Sequence, residues 1–156
     1  MTINVGDKAP SFALRNTEKE VVSLGDYDGK PLVVLFFPLA FTSVCTDELC
    51  SVRDDKAFYD DLGVQVVGIS VDSLFTLEKF KSEQGFNFPL LSDFNKETSR
   101  SYGALYEDFV LDMKGVARRA AFVIDPKGIV RHAEVLENAT ELPNFEKIKS
   151  TLQNLA

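Results

Sequence analysis

The sequence predicts an α/β fold in which a mixed central sheet carries helices on both faces. Two apolar, valine-rich runs, Leu32–Phe37 and Val64–Val71, are typical of strands that are buried on both faces. Between them, the stretch from Ser43 to about Leu62 repeats its apolar residues at helical spacing. A strand, a helix and a second strand in this order predict two parallel strands joined by a crossover helix.

The chain before this unit predicts an extended lead-in and a small hairpin. Residues Val5–Phe12 include Gly6 and Pro10 and show little periodicity, which is typical of extended backbone. Phe12–Arg15 and Val21–Leu24 flank the polar turn NTEKE, and this pattern predicts the two strands of the hairpin.

After the second central strand, the pattern predicts two helices and a short strand. Ser73 caps a helix that ends at Gly85. Phe88–Leu91 follow as a short strand, and Asn95–Arg100 form a short helix. The segment Tyr106–Met113 is ambiguous between loop and strand.

The last third of the chain predicts a hairpin and a closing helix. Ala120–Ile124 and Ile129–Val135 are joined by the turn Asp-Pro-Lys-Gly, which favours antiparallel pairing and makes the sheet mixed. A final helix opens at Pro143, and its apolar residues recur at helical spacing: Phe145, Ile148, Leu152 and Leu155.

Length and composition predict one compact domain over residues 1–156, with 45% hydrophobic and 26% charged residues. A net charge of −7 at pH 7 argues against nucleic acid or an anionic membrane as the main partner. No stretch approaches the ~18 apolar residues of a membrane span. Because the N-terminus also lacks the basic and apolar regions of a signal peptide, we expect a cytoplasmic protein.

The chain contains two cysteines, Cys45 and Cys50, and a single histidine, His132. Two cysteines are too few for a secreted disulfide scaffold, and in a reducing compartment they favour a catalytic or redox role. No cysteines and histidines have the spacing of zinc ligands, so we expect no metal site. His132 lies in a stretch of alternating character, and we expect it to face solvent.

Cys45 falls in the first turn of the predicted helix. Unpaired backbone N–H groups and the positive end of the helix dipole favour a thiolate at that position. Thr42 or Ser43 can cap the helix through a hydroxyl, and Pro38 fixes the backbone where the strand ends. The alternative is that Cys45 is a small core residue, because it also lies on the apolar stripe of the helix.

Pro38, Thr42 and Cys45 form the pattern Pro-x-x-x-Thr-x-x-Cys, here PLAFTSVC. This pattern resembles the active-site motif of the peroxiredoxins. The wider stretch FFPLAFTSVCTDELC is similar to the AhpE branch in its first part and to the PrxQ branch (bacterioferritin comigratory protein) in its second cysteine. Further stretches also resemble peroxiredoxin segments: VQVVGISVDS, FPLLSD, SYG and RRAAFVIDPKG. The resemblance implies a thioredoxin fold with the N-terminal hairpin and insertions of that family.

The resemblance also implies a thiol-dependent peroxidase that reduces hydrogen peroxide and small organic hydroperoxides. Cys45 would attack the peroxide O–O bond and become a sulfenic acid. Thr42 would hydrogen-bond the peroxide and Cys45, while backbone N–H groups around Val44 and Cys45 bind the peroxide oxygens. Pro38 would shape and shield the pocket. Because the cysteine sulfur supplies the chemistry, we expect no cofactor.

Two charged residues are assigned to the same pocket. Arg119 stands three residues before Phe122, where the resemblance places an arginine that points at the thiolate, and Arg118 should face the opposite way. Glu48 lies one turn after Cys45 on the apolar side of the helix, where an unpaired carboxylate is costly. We predict that Glu48 pairs with Arg119 and orients it. The alternatives are a solvated arginine and a carboxylate in water near the helix dipole.

The role of Cys50 decides how the cycle closes. Residues five apart in an intact helix have Cα atoms about 8.7 Å apart, beyond the ~7 Å limit for a disulfide, so a Cys45–Cys50 bond requires the first turns to unwind. The resemblance to PrxQ implies this disulfide, with thioredoxin or a glutaredoxin-like protein as its reductant. Alternatively Cys50 is idle and an external thiol resolves a one-cysteine enzyme. A monomer and a homodimer are both open.

Two other classes of function compete with this interpretation. A thioredoxin-like disulfide reductase uses Cys-x-x-Cys, but this chain has four residues between its cysteines. A redox sensor or binding module would react with peroxide through Cys45 and fail to turn over with any reductant. Sustained turnover therefore separates an enzyme from a sensor.

Overall fold

The computed structural model describes residues 2–155. Strands in this range fall into a large sheet and a two-stranded ribbon, and they have these bounds: β1 (Ala13–Asn16), β2 (Val21–Ser23), β3 (Leu32–Phe36), β4 (Gln65–Ser70), β5 (Leu90–Ser92), β6 (Leu105–Tyr106), β7 (Val116–Ala117), β8 (Ala120–Ile124) and β9 (Val130–Val135). Strands β6 and β7 form the ribbon, so the ambiguous segment Tyr106–Met113 is strand at its start and beyond it a loop with a short 3₁₀ turn at Val110–Asp112.

The large sheet has the strand order β2-β1-β5-β4-β3-β8-β9. Strand β3 pairs in parallel with β4, and β4 pairs in parallel with β5. The other pairs are antiparallel, including β3 with β8 and β8 with β9. All five residues of β3 are buried, as expected for a central strand covered on both faces. The predicted mixed sheet is confirmed.

Helices cover both faces of this sheet, and their bounds are α1 (Ser43–Asp54), α2 (Lys56–Asp61), α3 (Leu74–Gln84), α4 (Glu97–Ser101) and α5 (Phe145–Leu155). Leu49 of α1, Phe80 of α3 and Ile148 of α5 pack with Leu35 of β3 on one face. Tyr102, directly after α4, packs on the opposite face. Within residues 2–155, no helix combines the length and the apolar character needed to cross a membrane.

The helix predicted from Ser43 to Leu62 is wrong in one respect, because it breaks at Asp55. The backbone there has φ −109° and ψ 18°, outside the helical region, and α2 restarts at Lys56. Asp55 pairs instead with Lys149 of α5, and aspartate has a low helix propensity. Tyr59 lies beyond the break and is still buried, so the spacing of apolar residues does not predict the break.

The prediction that His132 faces solvent is also wrong, since only 4% of its surface is exposed. His132 pairs with Val123 across β8 and β9, and paired residues share a face of the sheet. That face is covered by Ile148 and Leu152 of α5. The ring Nε2 lies 3.2 Å from Glu134 Oε1, and burial lowers the pKa of His132.

Candidate active site

Cys45 is the third residue of α1, and 1% of its surface is exposed. The first helical hydrogen bond runs from Thr46 N to Thr42 O at 2.9 Å. The N–H groups of Ser43, Val44 and Cys45 therefore have no acceptor within the helix. These donors and the positive end of the helix dipole stabilise negative charge on the sulfur.

The loop that leads from β3 to α1 is held by Asp72, which the sequence analysis missed. Asp72 Oδ2 accepts hydrogen bonds from Ala40 N at 2.8 Å and from Ser70 Oγ at 2.7 Å. Ala40 lies in the segment between Pro38 and Thr42, so Asp72 fixes the position of that segment. A signal was available, because β3 and β4 are parallel and the residues after them meet at one edge of the sheet.

Thr42 occupies the N-cap position of α1, but its side chain does not cap the helix. Its hydroxyl donates instead to Leu39 O at 2.9 Å. The lone pairs of Thr42 Oγ1 remain free to accept a hydrogen bond from a molecule in the cavity. Pro38, Thr42 and Val44 all line the cavity that reaches Cys45.

Arg119 lies against the sulfur, with Nη2 donating to Cys45 Sγ at 3.1 Å. Its Nη1 donates to Glu48 Oε1 at 2.5 Å, and its Nε donates to Ala139 O at 3.0 Å. Ala121 of β8 faces α1, and residues two apart in a strand point the same way, which explains the direction of Arg119. With 2% of its surface exposed, the guanidinium is a buried cation fixed on three sides.

Arg118 points elsewhere, as the alternation of a strand predicts. Its Nε donates to Leu105 O at 3.2 Å, and its guanidinium lies 5.1 Å from the centre of the Tyr106 ring. Of the two tandem arginines, only Arg119 contacts Cys45 in the structure.

Glu48 is fully buried, and the contact predicted between Glu48 and Arg119 is present. Burial raises the pKa of Glu48 to about 8, against the opposing effect of Arg119. The second carboxylate oxygen, Oε2, is buried without a hydrogen-bond partner among the described residues. Glu48 is not among the residues that line the cavity, and it contacts Arg119 from behind the cavity wall.

The cavity above Cys45 has a volume of about 670 Å³. Its outer wall is the segment Tyr106–Met113, which the sequence analysis did not assign to the site. Tyr106 Oη donates to the carbonyl groups of Leu136 and Glu137, which ties this wall to the loop after β9. Most of the lining is apolar: Pro38, Leu39, Val44, Tyr106, Phe109, Val110, Leu111, Met113 and Ala139. The space suits a small molecule with an apolar part and a polar group at the sulfur.

Cys50 lies in the same continuous helix as Cys45, and both cysteines are free thiols. Cys50 is partly buried, and its Sγ lies 3.9 Å from Gln84 Oε1 at the end of α3. Arg53 Nη1 donates to Gln84 O at 2.5 Å, so this part of α1 is tied to α3. Burial raises the pKa of the Cys50 thiol, against the effect of Arg53. A Cys45–Cys50 disulfide requires the first turns of α1 to unwind.

This arrangement supports chemistry at sulfur. A buried cysteine at a helix N-terminus contacts a guanidinium and opens onto a mostly apolar cavity. Such an environment stabilises a thiolate and directs hydrogen-bond donors at any oxygen that approaches it. Across residues 2–155, no three side chains of His, Cys, Asp or Glu come together as a candidate metal site.

Comparison with known sequences gives consistent matches. Residues 5–133 match the AhpC/TSA family. The chain is 39% identical over 129 residues to alkyl hydroperoxide reductase E of Mycobacterium bovis, and the match covers 76% of this chain and 84% of that relative. It is also 43% identical over 102 residues to a Mycobacterium tuberculosis protein named as a peroxiredoxin. This second match spans 65% of this chain and 65% of the relative.

Comparison with solved structures gives likenesses over nearly the whole chain. The TM-score to peroxidoxin BcpB from Mycobacterium tuberculosis is 0.87 at 27% identity, with 99% of each chain covered. The TM-score to a peroxiredoxin-like protein from Aquifex aeolicus is 0.90 at 27% identity, with 100% of this chain and 90% of that chain covered. The predicted thioredoxin fold and the resemblance to the AhpE and PrxQ branches are confirmed.

Proposed function

This chain belongs to the AhpC/TSA family, and we propose that it is a peroxiredoxin that reduces hydrogen peroxide and small organic hydroperoxides with electrons from a thiol. The observation that carries the proposal is the 3.1 Å contact from Arg119 Nη2 to Cys45 Sγ at the floor of the cavity. A guanidinium at this distance stabilises the thiolate and can also donate to a peroxide oxygen.

In the first step the Cys45 thiolate attacks the terminal oxygen of the hydroperoxide. An S–O bond forms and the O–O bond breaks, so sulfur loses two electrons and becomes a sulfenic acid, while the other oxygen leaves as an alkoxide and takes up a proton. The free N–H groups of the first turn and Arg119 stabilise the charge on the leaving oxygen. Thr42 Oγ1 accepts the peroxide O–H, because its own proton is directed at Leu39 O.

In the second step Cys50 resolves the sulfenic acid. The Cys50 thiolate attacks the Cys45 sulfur, the S–S bond forms as the S–O bond breaks, and the hydroxide that leaves takes up the proton lost by the Cys50 thiol and becomes water. The first turns of α1 unwind for this step, at a helix end where opening costs least. Thioredoxin or a glutaredoxin-like protein then reduces the disulfide and restores both thiols.

A one-cysteine cycle is the second candidate, and the surroundings of Cys50 favour it. Cys50 contacts Gln84, and Arg53 ties the same part of α1 to α3. If these contacts keep Cys50 in place, an external thiol attacks the sulfenic acid and forms a mixed disulfide with Cys45. The same pocket and the same first step serve both cycles.

The test is sustained hydroperoxide reduction with NADPH, thioredoxin reductase and thioredoxin, for the wild type, Cys45→Ser and Cys50→Ser. We expect turnover by the wild type and none by Cys45→Ser. Loss of turnover in Cys50→Ser with thioredoxin, but not with dithiothreitol, supports the two-cysteine cycle. Turnover by Cys45→Ser refutes the proposal, and a single oxidation that no reductant reverses would indicate a sensor. Reduction of insulin by the chain would indicate a disulfide reductase.

A further inference from the structure

We propose that Cys45 and Glu48 share one negative charge across Arg119, so that Glu48 holds a proton while Cys45 is a thiolate and loses it when the sulfur becomes neutral. Glu48 is then a positioning residue that acts through Arg119 and keeps the charge of the cluster constant. The part of this inference that concerns the catalytic cycle rests on the proposed peroxidase function.

The structure places one cation, Arg119, between two groups that can ionise, Cys45 and Glu48. Arg119 donates to Cys45 Sγ at 3.1 Å through Nη2 and to Glu48 Oε1 at 2.5 Å through Nη1. Among residues 2–155, no cation other than Arg119 forms a hydrogen bond or ion pair with Cys45 or Glu48. The other charge that acts on Glu48 is the carboxylate of Glu134 on β9, and it opposes ionisation of Glu48. Two ionised groups here would leave one net negative charge buried.

The unpartnered oxygen of Glu48 indicates where the proton resides. Oε1 accepts from Arg119, whereas Oε2 is buried without a hydrogen-bond partner in the described structure. An ionised Oε2 in this position would be an anionic acceptor with no donor, and this costs more than a neutral hydroxyl at the same place. Burial raises the pKa of Glu48 to about 8, in the direction that a proton on Oε2 requires.

Atoms and charge balance when Glu48 releases its proton during the proposed first step. Before it, the cluster consists of a Cys45 thiolate, a neutral Glu48 and the Arg119 cation, with no net charge. The thiolate, the hydroperoxide and the Glu48 proton give a sulfenic acid, an alcohol and a Glu48 carboxylate, and the cluster is again neutral. Because Glu48 does not line the cavity, its proton goes to solvent and the alkoxide takes one from solvent.

The exchange also changes the partner of Arg119. With a neutral sulfur, the guanidinium has one anion left, Glu48, and its attraction to Cys45 weakens. The first turn of α1 is then easier to open, which allows Cys45 to move toward Cys50. Reduction restores the thiolate, and the proton returns to Glu48.

The test is a pH titration by NMR of chains labelled with ¹³C at Glu Cδ, with the Glu48 signal assigned by its absence in Glu48→Gln. We compare reduced Cys50→Ser with the same variant after methyl methanethiosulfonate has capped Cys45 as a neutral mixed disulfide. We expect the pKa of Glu48 to fall by about one unit or more on capping, which is a tenfold change in proton affinity. Glu134→Gln is the matched control, because it removes a neighbouring carboxylate and keeps Arg119 and Cys45.

The proposal is overturned if the pKa of Glu48 does not change when Cys45 is capped. It is also overturned if Glu48 is already ionised at about pH 6 in the reduced chain. Cys45→Ser provides a second neutral state that needs no chemical modification and should show the same lowered pKa. The capping reagent is not a peroxide, so this readout does not depend on peroxidase activity. Failure of the chain to reduce hydroperoxides would refute the proposed function and leave the titration result standing.

Discussion

Replacing Arg119 by methionine removes the cation that contacts both Cys45 and Glu48. Arg119 is 2% exposed and Glu48 is fully buried, so water cannot replace the lost hydrogen bonds without opening the core. Glu48 Oε1 and Ala139 O then lose their donor, and each buried acceptor left unsatisfied costs about 1–3 kcal/mol, or about 2–6 kcal/mol for the two. With a slope of about 2 kcal/mol per molar urea, the unfolding midpoint should fall by about 1–3 M.

The double variant Arg119→Met with Glu48→Met separates stability from catalysis. Two apolar side chains of similar volume leave no buried charge, so the free energy of unfolding should return to within about 1 kcal/mol of the wild type or exceed it. Peroxide reactivity should not return, because the donor to the reacting oxygen is absent. We expect a loss of about 10²–10³ in the rate constant in both variants, the usual cost of one such donor.

Urea denaturation and stopped-flow peroxide reduction measure the two effects on the same samples. Arg118→Met is the matched control, since Arg118 is adjacent in sequence and contacts Leu105 O and the Tyr106 ring. It should change stability by less than about 1 kcal/mol, because Arg118 makes one partly exposed hydrogen bond. The reasoning is refuted if Arg119→Met is as stable as the control, or if the double variant is as unstable as the single one.

Three further predictions concern Glu48, Asp72 and Cys50. In the folded chain the pKa of Glu48 is raised from its ordinary value of 4.5 to about 8. Between pH 4.5 and about pH 8 the unfolded chain therefore binds fewer protons than the folded chain, and the free energy of unfolding should fall as pH rises. The slope reaches about 1.4 kcal/mol per pH unit and should disappear in Glu48→Gln, as urea midpoints at several pH values would show. Asp72→Ala removes the acceptor for Ala40 N and should slow peroxide reduction by about 10- to 100-fold in stopped flow, whereas an unchanged rate would exclude its positioning role. Burial raises the pKa of Cys50, so the rate of disulfide formation after oxidation should increase with pH, by about tenfold per pH unit while Cys50 is mostly protonated. Quench-flow mass spectrometry measures this rate. A rate that does not depend on pH would argue against attack by the Cys50 thiolate.

The parts of the site that local sequence spacing controls were predictable. Cys45 and Thr42 lie at the start of a helix, and the end of the apolar strand before it predicts that start. Glu48 lies one turn after Cys45 on the same side of the helix. Arg119 was assigned to the pocket through the peroxiredoxin resemblance, and the alternation of side chains along a strand separated it from Arg118. In each case the neighbouring backbone fixes the direction of the side chain.

The parts that long-range contacts control were not predictable in this way. The Arg119 contact to Ala139 O and the cavity wall at Tyr106–Met113 depend on how loops after different strands meet. His132 alternates with its neighbours as a surface strand residue would, yet α5, the helix that follows β9, packs over that face of the sheet. The helix breaks at Asp55 without a change in the spacing of the apolar residues, so the local sequence pattern does not predict the break.

The most direct test of the central claim is the intact mass and the free-thiol count after one equivalent of hydrogen peroxide, for the wild type, Cys45→Ser and Cys50→Ser. We predict that the wild type loses both thiols and about 2 mass units, that Cys50→Ser gains about 16 or 32, and that Cys45→Ser is unchanged. A wild type that gains about 16 and keeps one thiol would support the one-cysteine cycle. Oxidation of Cys45→Ser at the wild-type rate would contradict the assignment of Cys45 as the thiolate that attacks the peroxide.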